Sequence, residues 1–267
     1  MNIYRFEVKS LRKSTLIWIC SMIALAALYL SIYPSMANDA EEFKELLGNY
    51  PPAVQAMLGI NLDTIASLNG FYIMIFSFIL LCGAIQAMNL GVSILSKETR
   101  ERTADFLLVK PVSRAAVLSA KLCAAFTMLV VTNVVFLLAV VGMAKLFVSE
   151  HFDLQLFVLV NFSLFFVQLI FTAIGIVISV FFRKLKSILP VSLGVVFGFY
   201  LVGVLLAVGE EGEKLRFLSP FKYFEMDYIS KHGGYEISYL VLSAGVILIS
   251  VAVTYVVYGK KDIHAVS

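Results

Sequence analysis

The chain holds three histidines, His151, His232 and His264, and all of them fall in polar segments far apart. A catalytic or metal centre needs such side chains at defined spacing, and neither H-E-x-x-H nor G-x-S-x-G occurs. Cys20, Cys82 and Cys123 stand singly in apolar runs without a C-x-x-C pair, so they read as small buried hydrophobes. The nearest approach to a phosphate-binding loop is Gly259-Lys260. There, Thr254 stands where the first Gly should be and Lys261 where Ser or Thr should be. No Lys/Arg run interleaved with aromatics points to nucleic acid. No Asp, Glu, Lys, Arg or His is expected deep in an apolar run, where proton- and ion-coupled carriers usually place them. An enzyme is therefore not expected. The remaining chemistry is recognition, and it lies in two stretches, Glu98 to Lys121 and Phe217 to Phe224.

The elements that hold these stretches are apolar. Of 267 residues, 60% are hydrophobic and 15% charged, against about 45–50% apolar and about 25% charged in a soluble domain. Only helices or a closed barrel satisfy the backbone in a bilayer, and continuous rather than alternating apolar runs favour helices. The reading is a single all-α transmembrane domain, residues 1–267, with spans at about 15–33, 68–95, 117–142, 154–182, 188–208 and 237–258. The first span just crosses a core of about 30 Å at about 1.5 Å per residue. Its basic flank and Ser35-Met36-Ala37 mimic a cleaved signal, but its apolar run exceeds the usual stretch of about 7–15 residues, so a retained span is expected.

Before the first span, Tyr4, Val8 and Leu11 share one helical face beside Arg5, Lys9 and Arg12. This pattern reads either as a short helix on the inner membrane surface or as a basic flank that sets topology. After it, an acidic segment broken by Pro51-Pro52 leads to a short apolar helix over Ala53–Ile60. Gln86 and Asn89 share a face of the second span and are expected to hydrogen-bond a neighbouring helix. Ser113 can cap the third span, whose strongly polar interior residue is Asn133. Asn161-Phe162-Ser163 is a chance match to a glycosylation acceptor, because it lies inside the fourth span. Pro190 falls in the first turn of the fifth span. Gly194 and Gly198 then make a small face suited to close helix contact and dimer packing. With the amino terminus inside, inner segments hold 15 of the 21 Lys and Arg residues, so both termini are expected in the cytoplasm.

Within the first stretch, Glu98, Arg102, Thr103, the Phe106-Leu107-Leu108 step, Pro111, Ser113, Arg114 and Lys121 follow in a telling order. That order resembles the loop between the second and third spans of the ABC type 2 permease family. In that family the loop forms a coupling helix that docks into a groove of an ATPase subunit. Members often carry Gly before the Thr, where this chain has Arg102. The aromatic step Phe217, Pro220, Phe221, Tyr223 and Phe224 also resembles the family, whose last span is preceded by a re-entrant extracytoplasmic segment.

The resemblance covers almost the whole chain. It implies the permease subunit of an ATP-driven exporter in the cell membrane of a bacterium, moving a hydrophobic or amphipathic cargo outward. It implies two ATPase subunits as partners, with ATP and Mg held there and no cofactor or metal in this chain, and a second permease copy or a paralogue. The coupling residues would be Glu98, Arg102, Thr103, Phe106, Leu107, Pro111 and Arg114; Phe217, Pro220, Phe221, Tyr223 and Phe224 would form an extracytoplasmic gate. The other readings are a membrane-bound binding or immunity protein without transport, and an ion-coupled carrier. The orientation has a direct check. Cysteines placed at Glu41 and Glu213 are expected to react with an impermeant thiol reagent from outside whole cells, and one at Glu101 only after lysis. Outside labelling at Glu101 overturns the orientation.

Overall fold

The computed structural model describes residues 3–58, 60–100, 113–147, 153–182, 187–209 and 212–260, with backbone alone at 56, 57, 98–100, 147 and 213. The elements among them are helices. They are α1 (Ile3–Asn38), α2 (Ala40–Gly48), α3 (Pro52–Leu58), α4 (Leu68–Arg100), α5 (Arg114–Phe147), α6 (Leu154–Phe181), α7 (Leu189–Val208), α8 (Gly212–Leu215), α9 (Met226–His232) and α10 (Ile237–Lys260). Two 3-10 turns, Arg216–Leu218 and Pro220–Lys222, lie between α8 and α9. Six helices, α1, α4, α5, α6, α7 and α10, are long and apolar enough to cross a membrane. This is a multi-pass membrane protein.

Local signals act where the sequence places them. Ser113 Oγ accepts the Ala116 amide at 3.2 Å and caps α5. Pro190 opens α7. The expected apolar helix after Pro51-Pro52 is α3, which packs against α7 and α4. Asn161 is buried and accepts a hydrogen bond from the Tyr72 hydroxyl at 2.7 Å, as its place inside a span requires.

Two boundaries differ from the sequence expectation. The basic amino-terminal piece is not a separate surface helix, because α1 runs unbroken from Ile3 through the first span. Nor is Glu98 to Lys121 one loop. α4 continues to Arg100 and α5 begins at Arg114, which places Lys121 two turns inside a helix. Helix propensity and apolar packing on both sides extend each helix past the point where the sequence first turns polar.

α4 and α6 form the centre. Among the described residues, 78% of the apolar window of α4 is buried, against 17% for α7 and 11% for α10. The two central helices meet backbone to backbone. A Cβ on Gly91 would lie 2.3 Å from the Thr172 carbonyl oxygen, and one on Gly175 would lie 2.8 Å from that of Met88. Only glycine permits this approach. A chain of buried amides lies beside it. Gln168 Nε2 donates to Gln86 Oε1 at 3.1 Å, Gln86 Nε2 to the Thr132 hydroxyl at 3.0 Å, and Asn133 Nδ2 to Gln168 Oε1 at 2.6 Å. Gln86 thus bonds neighbouring helices as expected, and α5 is joined to both central helices. α1 packs on α5 and α4, α7 on α4, and α10 on α6. By contrast, a Cβ on Gly194 or Gly198 would meet nothing in this chain within 4 Å.

Gly91→Val should therefore be severely destabilising, because its clash is with backbone; overpacking of this kind costs about 1–3 kcal/mol or more. Gly198→Leu should leave the fold of the single chain intact. Thermal unfolding of both variants in detergent checks this, and an unchanged midpoint for Gly91→Val contradicts the backbone contact.

Candidate functional site

Charged and polar side chains gather at the two ends of the bundle. At one end, here the loop end, lie the starts of α1 and α5 and the ends of α4 and α10. The Glu7 and Lys121 side chains meet there at 2.7 Å, with relative exposures of 5% and 0%. Lys121 Nζ also donates to the Ile94 carbonyl oxygen at 2.9 Å. One ammonium thus joins α1, α4 and α5. Glu7 is buried beside the face formed by Tyr4, Val8 and Leu11, of which Val8 and Leu11 pack against the buried apolar clusters. The Tyr4 hydroxyl and Thr127 Oγ1 lie 3.0 Å apart. Lys97 Nζ donates to Ser10 Oγ and lies 5.6 Å from the Phe6 ring centroid. On the other flank, Ser119 Oγ and the Tyr255 hydroxyl of α10 are 2.7 Å apart, and Arg114 Nη1 donates to the Gly259 carbonyl at 3.4 Å.

These bonds fasten the end of α4 and the start of α5 to α1 and α10. Of the residues expected to couple to an ATPase, Arg114 is half-buried on this frame, and Glu98 lies in the last turns of α4. Arg102, Thr103, Phe106, Leu107 and Pro111 lie outside the described residues. Lys121, expected at the edge of the polar loop, is instead fully buried between helices at the loop end. Its single acidic counterpart in the basic amino-terminal stretch was the available signal, since Glu7 lies three residues from Tyr4 and four from Leu11.

The opposite, or cap, end is built on Arg216. This buried guanidinium donates from Nε to the Lys222 carbonyl at 2.7 Å and from Nη1 to Glu236 Oε2 at 2.9 Å. It also lies 3.5 Å from Glu225 Oε1 and 4.2 Å from the Tyr239 ring centroid. A planar five-donor fork suits such divergent partners. The segment it holds contains the aromatic step. Pro220, Tyr223 and Phe224 are buried, Phe221 is half-buried, and Phe217 is exposed. Phe224 stacks on Phe166 of α6 at 5.3 Å, and Phe221 lies 5.1 Å from Phe171 of α6 and 5.6 Å from Tyr200 of α7. Ser219 Oγ donates to the Phe199 carbonyl at 2.7 Å, directly over Gly203, where a Cβ would come within 2.9 Å of that hydroxyl oxygen. The Tyr223 hydroxyl donates to the Phe217 carbonyl at 2.7 Å, and that of Tyr235 to the Leu159 carbonyl at 2.6 Å. Burial pushes both phenols up from their ordinary pKa, for Tyr223 with a smaller contribution from Tyr239, so both stay proton donors. The step is therefore a seated cap on α6 and α7. Sequence reasoning missed Arg216, Glu225 and Glu236, because charges spread along a polar loop give no periodic signal.

Among the described residues there is no cluster of three or more His, Cys, Asp or Glu side chains able to hold a metal ion. At both ends the polar groups described fasten one segment to another. The sequence profile described as ABC-2 family transporter protein matches residues 1–263. The chain belongs to the ABC-2 transporter family. No curated protein matches it closely. Membership makes this a membrane transport protein and a permease of the ABC type.

Breaking a buried ion pair by removing one partner costs about 3–5 kcal/mol, whereas replacing both with apolar groups is often neutral. Lys121→Met and Glu7→Met should each lower the unfolding midpoint in detergent strongly, and the double variant should recover most of the loss. Additive losses in the double variant contradict the pair.

Proposed function

We propose that this chain is the membrane subunit of an ATP-driven exporter whose ATP and Mg sites lie on a separate ATPase. The loop end faces the cytoplasm of a bacterium and the cap end faces outward, in keeping with the Lys/Arg bias. Thr103 to Pro111 forms the coupling segment. Phe106 and Leu107 are too apolar for a free aqueous loop and anchor in the ATPase groove, with Arg102, Lys110 and Arg114 around them and Glu98 steadying the segment from α4. Two ATPase subunits serve two permease copies, or one copy and a paralogue, which meet across the open Gly194 and Gly198 face. The cap of Phe217, Pro220, Phe221, Tyr223 and Phe224 dips into the outer leaflet and closes the outer end of the pathway. The cargo is hydrophobic or amphipathic.

The observation that carries this reading is the loop-end frame. Both flanks of the α4–α5 connection are fastened: on α4, Lys97 to Ser10 of α1; on α5, Lys121 to Glu7 of α1 and the Ile94 carbonyl of α4, and Arg114 and Ser119 to α10. A displacement of the connection by an ATPase therefore reaches four helices at once. A loop that only joined two spans would not need such fastening.

Truncating a buried aromatic anchor costs at least about 2 kcal/mol of binding, or about thirtyfold in affinity. Phe106→Ala is expected to weaken ATPase association by about that factor, and Lys110→Ala less and in a salt-dependent way. Gly198→Leu should separate the permease copies. Co-purification with a candidate ABC ATPase subunit, with coupled ATP hydrolysis and native mass spectrometry, reads all three. Normal association and hydrolysis in Phe106→Ala, Leu107→Ala and Glu98→Ala reject the coupling role and leave binding or immunity without transport as the better reading.

A further inference from the structure

A cleft of about 240 Å³ opens at the cap end between α4 and α7. Ile73, Ser77 and Leu80 form one wall, on one face of α4. Gly203 and Val204 of α7 form part of the other. The Ser77 hydroxyl turns back to its own helix, to the Ile73 carbonyl at 3.5 Å. Ile73, Leu80 and Val204 give the cleft an apolar stretch, and Gln55, Asn61 and Tyr200 add polar side chains to the same lining.

Its mouth is charged, and unevenly so. Lys222, Glu225 and Asp227 line it. Glu225 lies 3.5 Å from Arg216 and 4.0 Å from Lys222. Asp227 is exposed and accepts one hydrogen bond, from Asn61 Nδ2 at 3.0 Å, with no cation in salt-bridge contact among the described residues. A carboxylate offers about four lone-pair sites and no donor, so Asp227, which lines the cleft, keeps acceptor capacity beyond its bond to Asn61. An anionic headgroup would face this carboxylate; a headgroup with N–H donors and positive charge completes it. The volume lies below the usual range for small-molecule pockets of about 300–1,000 Å³, which suits one slender chain rather than a bulky ring system.

We propose that this cleft binds an amphiphile with a primary amine on a single aliphatic chain, the amine on Asp227 and the chain along Ile73, Ser77 and Leu80. It names the class of amphipathic cargo, and to that extent rests on the exporter reading. The same chemistry is available from a soluble cationic amphiphile or from a single-chain lipid with an ethanolamine head.

The test uses the full chain in phosphatidylcholine nanodiscs, without any ATPase, and a dodecylamine carrying a photoreactive diazirine. Peptide mapping after irradiation should place the label on the segments containing Ile73–Leu80 and Gly203–Val204. Unlabelled dodecylamine should compete, and dodecanol and dodecanoate should not. Asp227→Asn should weaken binding roughly three- to tenfold, in the range of an exposed charged hydrogen bond, and Asp227→Glu should retain it. Ser77→Phe should fill the trough and remove the label while thermal unfolding of the protein stays unchanged. Displacement of the probe by an ethanolamine lysolipid assigns the bilayer as the source; failure to displace assigns a soluble amphiphile; either supports an amine site. Label spread over the lipid-facing surface, equal competition by dodecanol, or unchanged binding in Asp227→Asn overturns the proposal. Because the discs contain no ATPase, such a failure leaves the association results for Phe106→Ala standing, and a failure there leaves this labelling standing.

Discussion

In a bilayer, apolar side chains gain little by leaving lipid for another helix, so helices must associate through close packing and internal hydrogen bonds. The contact of α4 with α6 meets this constraint in both ways. Gly91 and Gly175 let the two backbones touch, and Gln86 and Gln168 bond across the same interface. The other helices are added to this pair by further polar contacts or aromatic packing. α5 joins through Thr132 and Asn133, and α6 takes the cap through Phe166 and Phe171. Separation of α4 from α6 would strand these amides in an apolar interior, where an unpaired polar group costs about 1–3 kcal/mol.

The ends of the bundle are fastened by different chemistry. At the loop end a compact ammonium, Lys121, is fully enclosed and answers a carboxylate and a helix carbonyl. Such a pair contributes little net stability, because desolvation offsets most of its attraction, but it penalises any arrangement that parts its members. It therefore fixes how α1, α4 and α5 sit together more than how stably they do. At the cap end, Arg216 gathers two carboxylates, a carbonyl and a ring, several of them partly exposed. Water competes there, so the aromatic seating of Phe221 and Phe224 and the buried Tyr223 and Ser219 hydrogen bonds carry more of the cap's attachment.

Much of this architecture is readable in the residues, and the reasons differ by feature. Six spans follow from run length, since a hydrocarbon core leaves the backbone no other option. Ser113, Pro190 and the apolar piece after Pro51-Pro52 follow from local rules of capping and breaking. Gln86 as an interhelical residue follows from its depth. The partners were not readable: nothing local tells Gln86 that it will meet Thr132 and Gln168. The same holds for Glu7 and Lys121, which are 114 positions apart and look like ordinary charges at span ends. Gly194 and Gly198 announce a close contact in sequence, yet the contact inside the chain is made by Gly91 and Gly175, eighty-odd positions apart and in no shared motif. A spacing rule sees one helix at a time, and a two-helix contact has no spacing.

α7 has a place that follows from this division. Its Gly198 face is open, while Phe199 and Gly203 receive the cap. At about 100° per residue, positions 198 and 203 are about 140° apart around the helix. One side of α7 therefore walls the cleft and carries the cap, and the nearly opposite side is bare. Only 17% of its apolar window is buried, so few contacts hold α7 in place. The cleft beside Ser77 and Val204 and the Ser219 bond to the Phe199 carbonyl both lie on the side of α7 away from Gly198. If a second permease copy takes the bare face and an amphiphile the cleft, as proposed above, both bear on this one helix.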